Sequence, residues 1–329
     1  MRERDFERRF TRNVDDIESQ YELHDEADAP ASERMRRVRD DRRAGSRGRL
    51  TEQARARLAK ERAADDDGPP QGDRWSTWSD ADERGPEPYP DWLITELAAV
   101  DAELGVLKTG KEADVFLVER TLPDTGRSSL MAAKRYRGGD HRLFHRDAGY
   151  LEGRRVRRSR EMRAMQQRSH FGRNLIAQQW ALAEFVALRT LWAAGAPVPY
   201  PAQRVGTELL LEFIGDADGT AAARLVQLRP GPDQLADLWR QLLDAMVLLA
   251  RQGYTHGDLS PYNLLVHGER LVLIDLPQLV DVVANPQGVG FLRRDVRTVS
   301  AWFVTRGLPA ELADADQVAD LLLEEMGLG

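Results

Sequence analysis

The chain has 329 residues, of which 42% are hydrophobic and 31% charged, and its formal net charge is -7. This length can hold a two-lobed enzyme with an additional segment, and the acidic balance argues against a protein built mainly to coat nucleic acid. Cysteine is absent, which excludes disulfides and thiolate metal sites. No apolar run approaches the roughly 20 residues of a membrane span and the N-terminus has no secretory signal, so we expect a cytoplasmic protein without membrane contact.

Residues 1–88 are rich in Arg, Asp, Glu and Ala, and their sparse apolar residues form no sustained helical face. A segment of this composition cannot bury enough surface to offset its chain entropy, so we predict a largely disordered N-terminal extension. Trp75 and Trp78 are unusual in so polar a stretch. They either dock on the folded body or form a short motif for a partner.

Residues 89–329 carry the periodicity of a folded domain, with order expected to begin near Pro90. Asp91 is a suitable N-cap, and the apolar residues that follow it predict a helix over 91–103 with Leu93 and Leu97 on its buried face. The later patterns predict strands at 106–107, 114–118 and 130–134, a helix over 180–193, a strand at 209–213, a helix over 232–252, paired strands at 264–266 and 271–274, and helices from about 294 onward.

The segment 256–263 reads H-G-D-L-S-P-Y-N, and two short apolar strands separate it from Asp275. The pattern H-x-D-x-x-x-x-N is typical of the catalytic loop of protein-kinase-like folds. In such a loop Asp258 orients the attacking hydroxyl, and Asn263 and Asp275 ligate Mg²⁺ on the phosphates. We interpret His256 as structural, holding the loop backbone by hydrogen bonds, and the alternative is a proton shuttle. The alternative for the whole segment is a polar turn between a helix and a hairpin.

A second group of candidate residues precedes this loop. Gly110 lies between two strand-like runs and lets backbone N–H groups approach a phosphate, although hairpins commonly contain one glycine. Lys134 ends a strand similar to the V-A-I-K strand of kinases, and Glu184 on the next helix is its expected partner. The alternative for both is an ordinary surface charge. The predicted nucleotide-binding residues here are Lys108, Thr109, Gly110, Lys111, Glu112, Ala113 and Lys134.

As a set, these motifs resemble a RIO-type atypical serine/threonine protein kinase, closest to the first RIO subfamily. The similar segments are T-G-K-E-A at 109–113, the loop at 256–263, I-D-L-P-Q at 274–278 and F-L-R-R-D at 291–295. The resemblance implies an α+β, bilobal protein-kinase-like fold with a truncated C-lobe and no standard activation segment. It implies an N-lobe over about 89–211, a hinge over about 212–215 and a C-lobe over about 216–329.

The resemblance also implies ATP and Mg²⁺ as cofactors, with Mn²⁺ as a substitute, and a protein substrate phosphorylated on Ser or Thr. Asp258, Lys134 and Glu184 are then catalytic, and the backbone of Glu212 and Ile214 binds the adenine. Autophosphorylation or ATPase activity is expected as well. The chain departs from the family at Lys108, which replaces a serine. It departs again at Asp114, which replaces an asparagine and is expected to turn away from the phosphates. Gly257 stands where many kinases place an arginine that binds an activation-loop phosphate.

Two other functions compete with the protein kinase. One is a small-molecule phosphotransferase of the aminoglycoside or choline type, which also uses H-G-D-x-x-x-x-N. The other is an ATPase switch that acts in the assembly of ribosomal particles. The arginine-rich insert at 153–173 motivates the second, since it could contact RNA or a ribosomal partner. The alternative for this insert is a solvated loop that pairs with the acidic N-terminal segment.

Overall fold

The computed structural model describes residues 72–137 and 170–329. The N-terminal lobe is built on a seven-stranded antiparallel sheet with strand order β1-β3-β4-β5-β7-β6-β2. Its strands are β1 (Arg74–Trp75), β2 (Glu83–Arg84), β3 (Val100–Thr109), β4 (Ala113–Leu122), β5 (Arg127–Tyr136), β6 (Pro201–Val205) and β7 (Glu208–Glu212). Helix α1 (His170–Ala193) lies between β5 and β6 in the chain and begins ahead of the predicted 180–193 span.

The C-terminal lobe consists of helices and short strand pairs. Its elements are β8 (Ala223–Arg224), α2 (Pro232–Arg251), β9 (Tyr254–Thr255), β10 (Leu264–His267), β11 (Arg270–Leu273), β12 (Val280–Asp281), α3 (Gly288–Thr305) and α4 (Ala315–Glu325). β10 pairs with β11 and with β8, and β12 pairs with β9. The predicted helix over 232–252 is confirmed, because its apolar spacing buries Leu238, Leu242 and Leu249 on one face. This mixed, two-lobed architecture confirms the predicted α+β fold class.

The sheet of the N-terminal lobe is strongly curled. β1 and β7 are not neighbours in the sheet, yet Arg74 Nη2 and Glu208 Oε1 are only 2.6 Å apart. The concave side holds a small core of its own, whose buried members include Trp78, Leu93, Met131, Tyr200 and Leu210. The other side of β5 packs toward α1 and the larger core that continues into the C-terminal lobe.

The concave side also contains a buried ion pair that the sequence did not reveal. Arg120 Nε donates to Asp101 Oδ1 at 2.7 Å, and Arg120 Nη2 donates to Asp101 Oδ2 at 3.0 Å. Gln203 Oε1 accepts from the same guanidinium at 3.1 Å. Such a bidentate, hydrogen-bonded pair satisfies charges that would otherwise be costly to bury.

Ordered structure begins ahead of the predicted start near Pro90. β1 pairs with β3 and β2 pairs with β6, so residues 74–84 supply strands at both ends of the sheet. Trp78 is buried in the concave core, which confirms that it docks on the folded body. Residues 1–71, the larger part of the predicted disordered extension, lie outside the described residues.

The predicted helix over 91–103 is wrong. The segment forms turns and then enters β3 at Val100. Leu93 and Ile94 are buried against the sheet, whereas Leu97, assigned to the buried face, is 76% exposed. The carbonyl of Ile94 accepts from Arg120 Nη1 at 3.4 Å. A side chain of the sheet thus donates to a carbonyl that would accept a backbone N–H in a helix.

Strand β3 is irregular along its length. Its register with β4 shifts between Glu103 and Gly105 and again between Val106 and Lys108. β1 covers only its first two residues, Val100 and Asp101.

Within the described ranges, none of the helices is both long and apolar enough to span a membrane.

Candidate active site

Lys134 lies between two carboxylates at the junction of the lobes. It is carried by β5, whose alternation directs it to the side of α1 and away from the concave core. Its Nζ is 2.6 Å from Glu184 Oε1 on α1 and 2.8 Å from Asp275 Oδ1. Burial alone would lower the pKa of Lys134, but the two carboxylates outweigh it and raise the pKa above its usual value. The side chain therefore stays charged.

Glu184 is held by three donors. Its side chain is 1% exposed, and it receives Lys134 on Oε1 and the hydroxyl of Tyr136 on Oε2 at 2.6 Å. The backbone N–H of Leu276 also points to Oε1, at 3.3 Å. A buried carboxylate needs such partners, since an uncompensated buried charge is strongly unfavourable.

Asp275 follows β11 in a left-handed backbone conformation, with φ of +67°. Aspartate tolerates this region better than most residues, and the turn directs its carboxylate toward Lys134. The charge of Lys134 lowers the pKa of Asp275 to about 2, even though burial opposes the shift. Asp275 is therefore ionised at neutral pH, which suits a ligand for a hard cation.

The loop after β9 brings Asp258 and Asn263 to the same place. Asn263 Nδ2 donates to the carbonyl of Asp258 at 2.9 Å, and the N–H of Ile274 donates to the carbonyl of Asn263 at 3.0 Å. The second bond places Asn263 next to the residue that precedes Asp275. Both predicted metal ligands thus lie at one end of the β10–β11 pair.

His256 has the structural role predicted for it. Its Nδ1 accepts from the N–H of Asp258 at 3.4 Å, so its Nε2 carries the proton and donates to the carbonyl of Ile274 at 3.1 Å. The ring is buried and connects the catalytic loop to the strand end before Asp275. Both ring nitrogens are used in this connection.

Asp295 on α3 is a site residue to which the sequence assigned no role. Its carboxylate accepts from Thr255 Oγ1 at 3.0 Å, from the N–H of Gly257 at 2.6 Å and from the N–H of Leu259 at 3.1 Å. Burial raises its pKa, against the opposing effect of nearby His256 and of these donors. The signal in the sequence was a carboxylate on the apolar face of α3, where Leu292, Asp295, Val296 and Val299 are all buried.

The predicted phosphate loop is the tight connection between β3 and β4. The N–H of Gly110 donates to the carbonyl of Ala113 at 3.0 Å, and a Cβ at Gly110 would lie only 2.7 Å from that oxygen. Thr109 faces Asp114 across the hairpin. Arg137 Nε donates to Asp114 Oδ2 at 2.7 Å, and the N–H of Arg137 donates to the carbonyl of Glu112 at 2.9 Å.

Asp114 is therefore engaged by Arg137, and it also interacts with Thr109 and with the backbone of Gly110 in the phosphate loop. Lys108 lies near the cleft, because its charge interacts with Asp275 and Lys134. Desolvation and the neighbouring cation Arg224 lower the pKa of Lys108, and Asp275 opposes them. A cation in these surroundings gains from an added phosphate anion.

The predicted hinge follows β7. The N–H of Glu212 donates to the carbonyl of Tyr200 at 2.8 Å, and the carbonyl of Ile214 accepts from Ala222 at 2.9 Å. These bonds fix the backbone on both sides of Phe213. The adenine-binding role of Glu212 and Ile214 stays a prediction.

Known proteins are similar to this chain in sequence. A family model described as the RIO domain matches residues 127–317. RIO-type serine/threonine-protein kinase Rio1 of Haloferax volcanii is 34% identical over 229 residues, which cover 69% of this chain and 71% of that protein. Serine/threonine-protein kinase rio1 of Schizosaccharomyces pombe is 30% identical over 67% of this chain, but the match spans only 41% of the yeast protein. A solved Rio2 kinase of Chaetomium thermophilum, in complex with ADP/Mg²⁺-phosphoaspartate, aligns with a TM-score of 0.44 at 22% identity, over 69% of this chain and 67% of that one.

Proposed function

Because this chain belongs to the RIO family of atypical serine/threonine protein kinases, we propose that it transfers the terminal phosphoryl group of MgATP to a serine or threonine hydroxyl of a protein. The observation that carries the proposal is the convergence of Lys134, Glu184 and Asp275 within hydrogen-bonding distance. These residues come from β5, α1 and the turn after β11. The loop of Asp258 and Asn263 is hydrogen-bonded to that same turn.

In this proposal the nucleotide lies between the two lobes. Its adenine binds the carbonyl of Glu212 and the N–H of Ile214, and its phosphates lie against the hairpin of residues 108–113 and against Lys134. Asn263 and the ionised Asp275 are hard oxygen donors, and they would hold Mg²⁺. When bound, the ion neutralises charge on the phosphates.

Lys134 would change partners when ATP binds. Asp275 is required at the metal and Lys134 at the phosphates, so the contact between them opens while Lys134 keeps Glu184. The fixed position of Glu184 on α1 then orients the ammonium group of Lys134 toward the phosphates. Asp258 orients the attacking hydroxyl and accepts its proton as the bond to phosphorus forms.

The test uses the full chain with labelled ATP, Mg²⁺ and a mixture of unfolded polypeptides. In Asp258→Ala we expect phosphoryl transfer to fall by about 10²-fold or more, with ATP affinity within about twofold of wild type. Asp244→Ala is the matched control, because that carboxylate lies on α2 and is 71% exposed. Unchanged transfer by Asp258→Ala would contradict the proposed role.

The same assay separates the alternatives. Label on added polypeptide supports the protein kinase, label on the chain itself reveals autophosphorylation, and free phosphate alone indicates an ATPase. Transfer to an aminoglycoside or to choline, with none to protein, would indicate the small-molecule enzyme. Replacing Mg²⁺ by Mn²⁺ tests the substitute metal. Contact with RNA or ribosomal particles stays a prediction, because residues 153–169, most of the arginine-rich insert, lie outside the described part of the chain. A cytoplasmic location stays a prediction as well.

A further inference from the structure

Tyr136 is buried beside the proposed phosphate-binding lysine, and neither the motifs nor the proposed reaction gives it a role. It is the last residue of β5 and lies two positions after Lys134, so both side chains leave the strand on the same side. Its ring is 5.2 Å from Lys134 Nζ, within the range of a cation–π contact. Its hydroxyl donates to Glu184 Oε2 at 2.6 Å.

The two carboxylate oxygens of Glu184 therefore accept from different side chains. Oε1 receives Lys134, whose other partner is Asp275, and Oε2 receives Tyr136. Lys134 must release Asp275 when a nucleotide and its metal arrive, whereas no bond of Tyr136 needs to change. Burial, strengthened by the nearby charges of Glu184 and Asp275, raises the pKa of Tyr136, so the hydroxyl keeps the proton that it donates.

We propose that Tyr136 is a positioning residue for phosphoryl transfer. Its hydroxyl holds Glu184 in place, so that the ammonium group of Lys134 stays oriented when it exchanges Asp275 for phosphate. The inference rests on the proposed function and deepens it. The backbone of Tyr136 is itself held in the sheet. Its N–H donates to the carbonyl of Thr207 at 3.0 Å, and its Cα lies opposite that of Ala113 at the end of the phosphate loop. The sheet therefore fixes the position of Tyr136.

The principal test is the conservative change Tyr136→Phe in the full chain, which keeps the ring and removes the hydroxyl. We expect ATP affinity, measured by calorimetry with Mg²⁺, to fall about fivefold, the effect of one hydrogen bond on an equilibrium. Adenosine, which reaches the hinge but has no phosphate for Lys134, should bind within about twofold of wild type. A purely structural role would weaken both ligands alike.

Tyr200→Phe is the matched control. Tyr200 is also buried and its hydroxyl donates to the carbonyl of Pro86 at 2.9 Å, but it belongs to the concave core, and the substitution keeps the backbone carbonyl that accepts from Glu212. This variant should lose a similar amount of stability and retain its affinity for both ligands. In a Lys134→Met background, Tyr136→Phe should have no further effect on ATP affinity, because the hydroxyl acts only through that lysine.

Three outcomes overturn the inference: unchanged ATP affinity in Tyr136→Phe, equal weakening of ATP and adenosine, or an undiminished effect in the Lys134→Met background. A wild-type chain that binds no ATP would overturn the proposed function as well, so the two failures are distinguishable. If Tyr136→Phe does not fold, NMR of the wild-type chain decides. The Tyr136 hydroxyl proton should be protected from exchange with and without ATP, and its loss on adding ATP would contradict the inference.

Discussion

Gly257, next to Asp258, combines two constraints at a single residue. Its φ is +83°, a conformation that residues with a Cβ rarely adopt. A Cβ would also overlap the carbonyl oxygen of Gln278 and lie 2.9 Å from Cγ2 of Val280. The arginine that many kinases place here cannot be accommodated without moving the loop, which fits the absence of an A-P-E motif after Asp275 in this sequence.

We predict that Gly257→Ala destabilises the chain by about 2 kcal/mol more than Gly268→Ala does. Gly268 has a φ of +60°, but no atom lies near the position of an added Cβ. Gly268→Ala therefore measures the cost of the backbone strain without a steric clash. Urea denaturation of both variants gives the comparison. Phosphoryl transfer should fall in Gly257→Ala only. Equal losses of stability would show that Gln278 and Val280 yield to the added methyl group.

Among single residues, the sequence identified those that belong to a linear motif. Asp258, Asn263, Asp275, Lys134 and Glu184 were all named from spacing and resemblance, and the structure brings them to one cleft. Tyr136 belongs to none of the motifs, and Asp295 lies in the similar segment 291–295 but received no role there; their partners lie 48 and 38 residues away in the chain. A hydrogen bond over such a separation leaves no periodic signal.

At the scale of elements, α3 supports the loop of Asp258 through Arg294 and, with more hydrogen bonds, through Asp295. Its carboxylate collects the N–H groups on both sides of Asp258, so a helix of the C-terminal lobe fixes the loop backbone. Arg294 adds a hydrogen bond to the carbonyl of Gly257. The helix thereby orients a residue that it does not itself carry.

We predict that Asp295→Asn lowers the free energy of unfolding by about 2 kcal/mol, because one accepting oxygen becomes a donor facing an N–H group. The rate of phosphoryl transfer should fall while ATP affinity changes little, since the groups proposed to bind the nucleotide lie elsewhere. Denaturant titration and steady-state kinetics measure the two effects. Asp320→Asn on α4, at an exposed ion pair with Arg293, serves as the control and should cost under about 1 kcal/mol. A KM effect as large as the kcat effect would contradict this division.

Elements with a strong period were predictable and those decided by distant partners were not. α2 and the β10–β11 pair follow their apolar patterns. The segment 91–99 has a helical pattern as well, but the buried Arg120 and the curled sheet give its backbone and Leu93 other partners. Tertiary contacts override a weak helical preference in such cases.

For the whole molecule, the main consequence concerns where the folded body begins. Residues 72–88 supply β1, β2 and Trp78, and Arg74 reaches Glu208 across the concave side. The domain boundary at 88/89 implied by the resemblance would remove all of these. A kinase domain cut there would lose Trp78 from its concave core and one partner of Glu208.

We predict that a chain starting at residue 72 is more stable than one starting at residue 89. The difference should be several kcal/mol, since burial of a large aromatic side chain alone contributes about 2 to 3 kcal/mol. Thermal unfolding of the two truncated chains gives the measurement, with the longer chain as the control. ATP affinity should fall in the shorter chain too, because β5 carries Lys134 on the same sheet. Identical unfolding curves would place the boundary at 88/89 after all.

The irregular register of β3 bears on how copies of this chain behave toward one another. Beyond Asp101 no strand among the described residues pairs with its outer side, and Leu104 and Val106 on it are exposed. A long, flat apolar edge would recruit a strand from a second molecule and seed fibrils. Its two bulges twist that edge out of register, and Asp73 Oδ2 accepts from the N–H of Glu103 at 2.7 Å. We therefore expect the irregular edge of β3 to oppose its pairing with a strand of a second molecule.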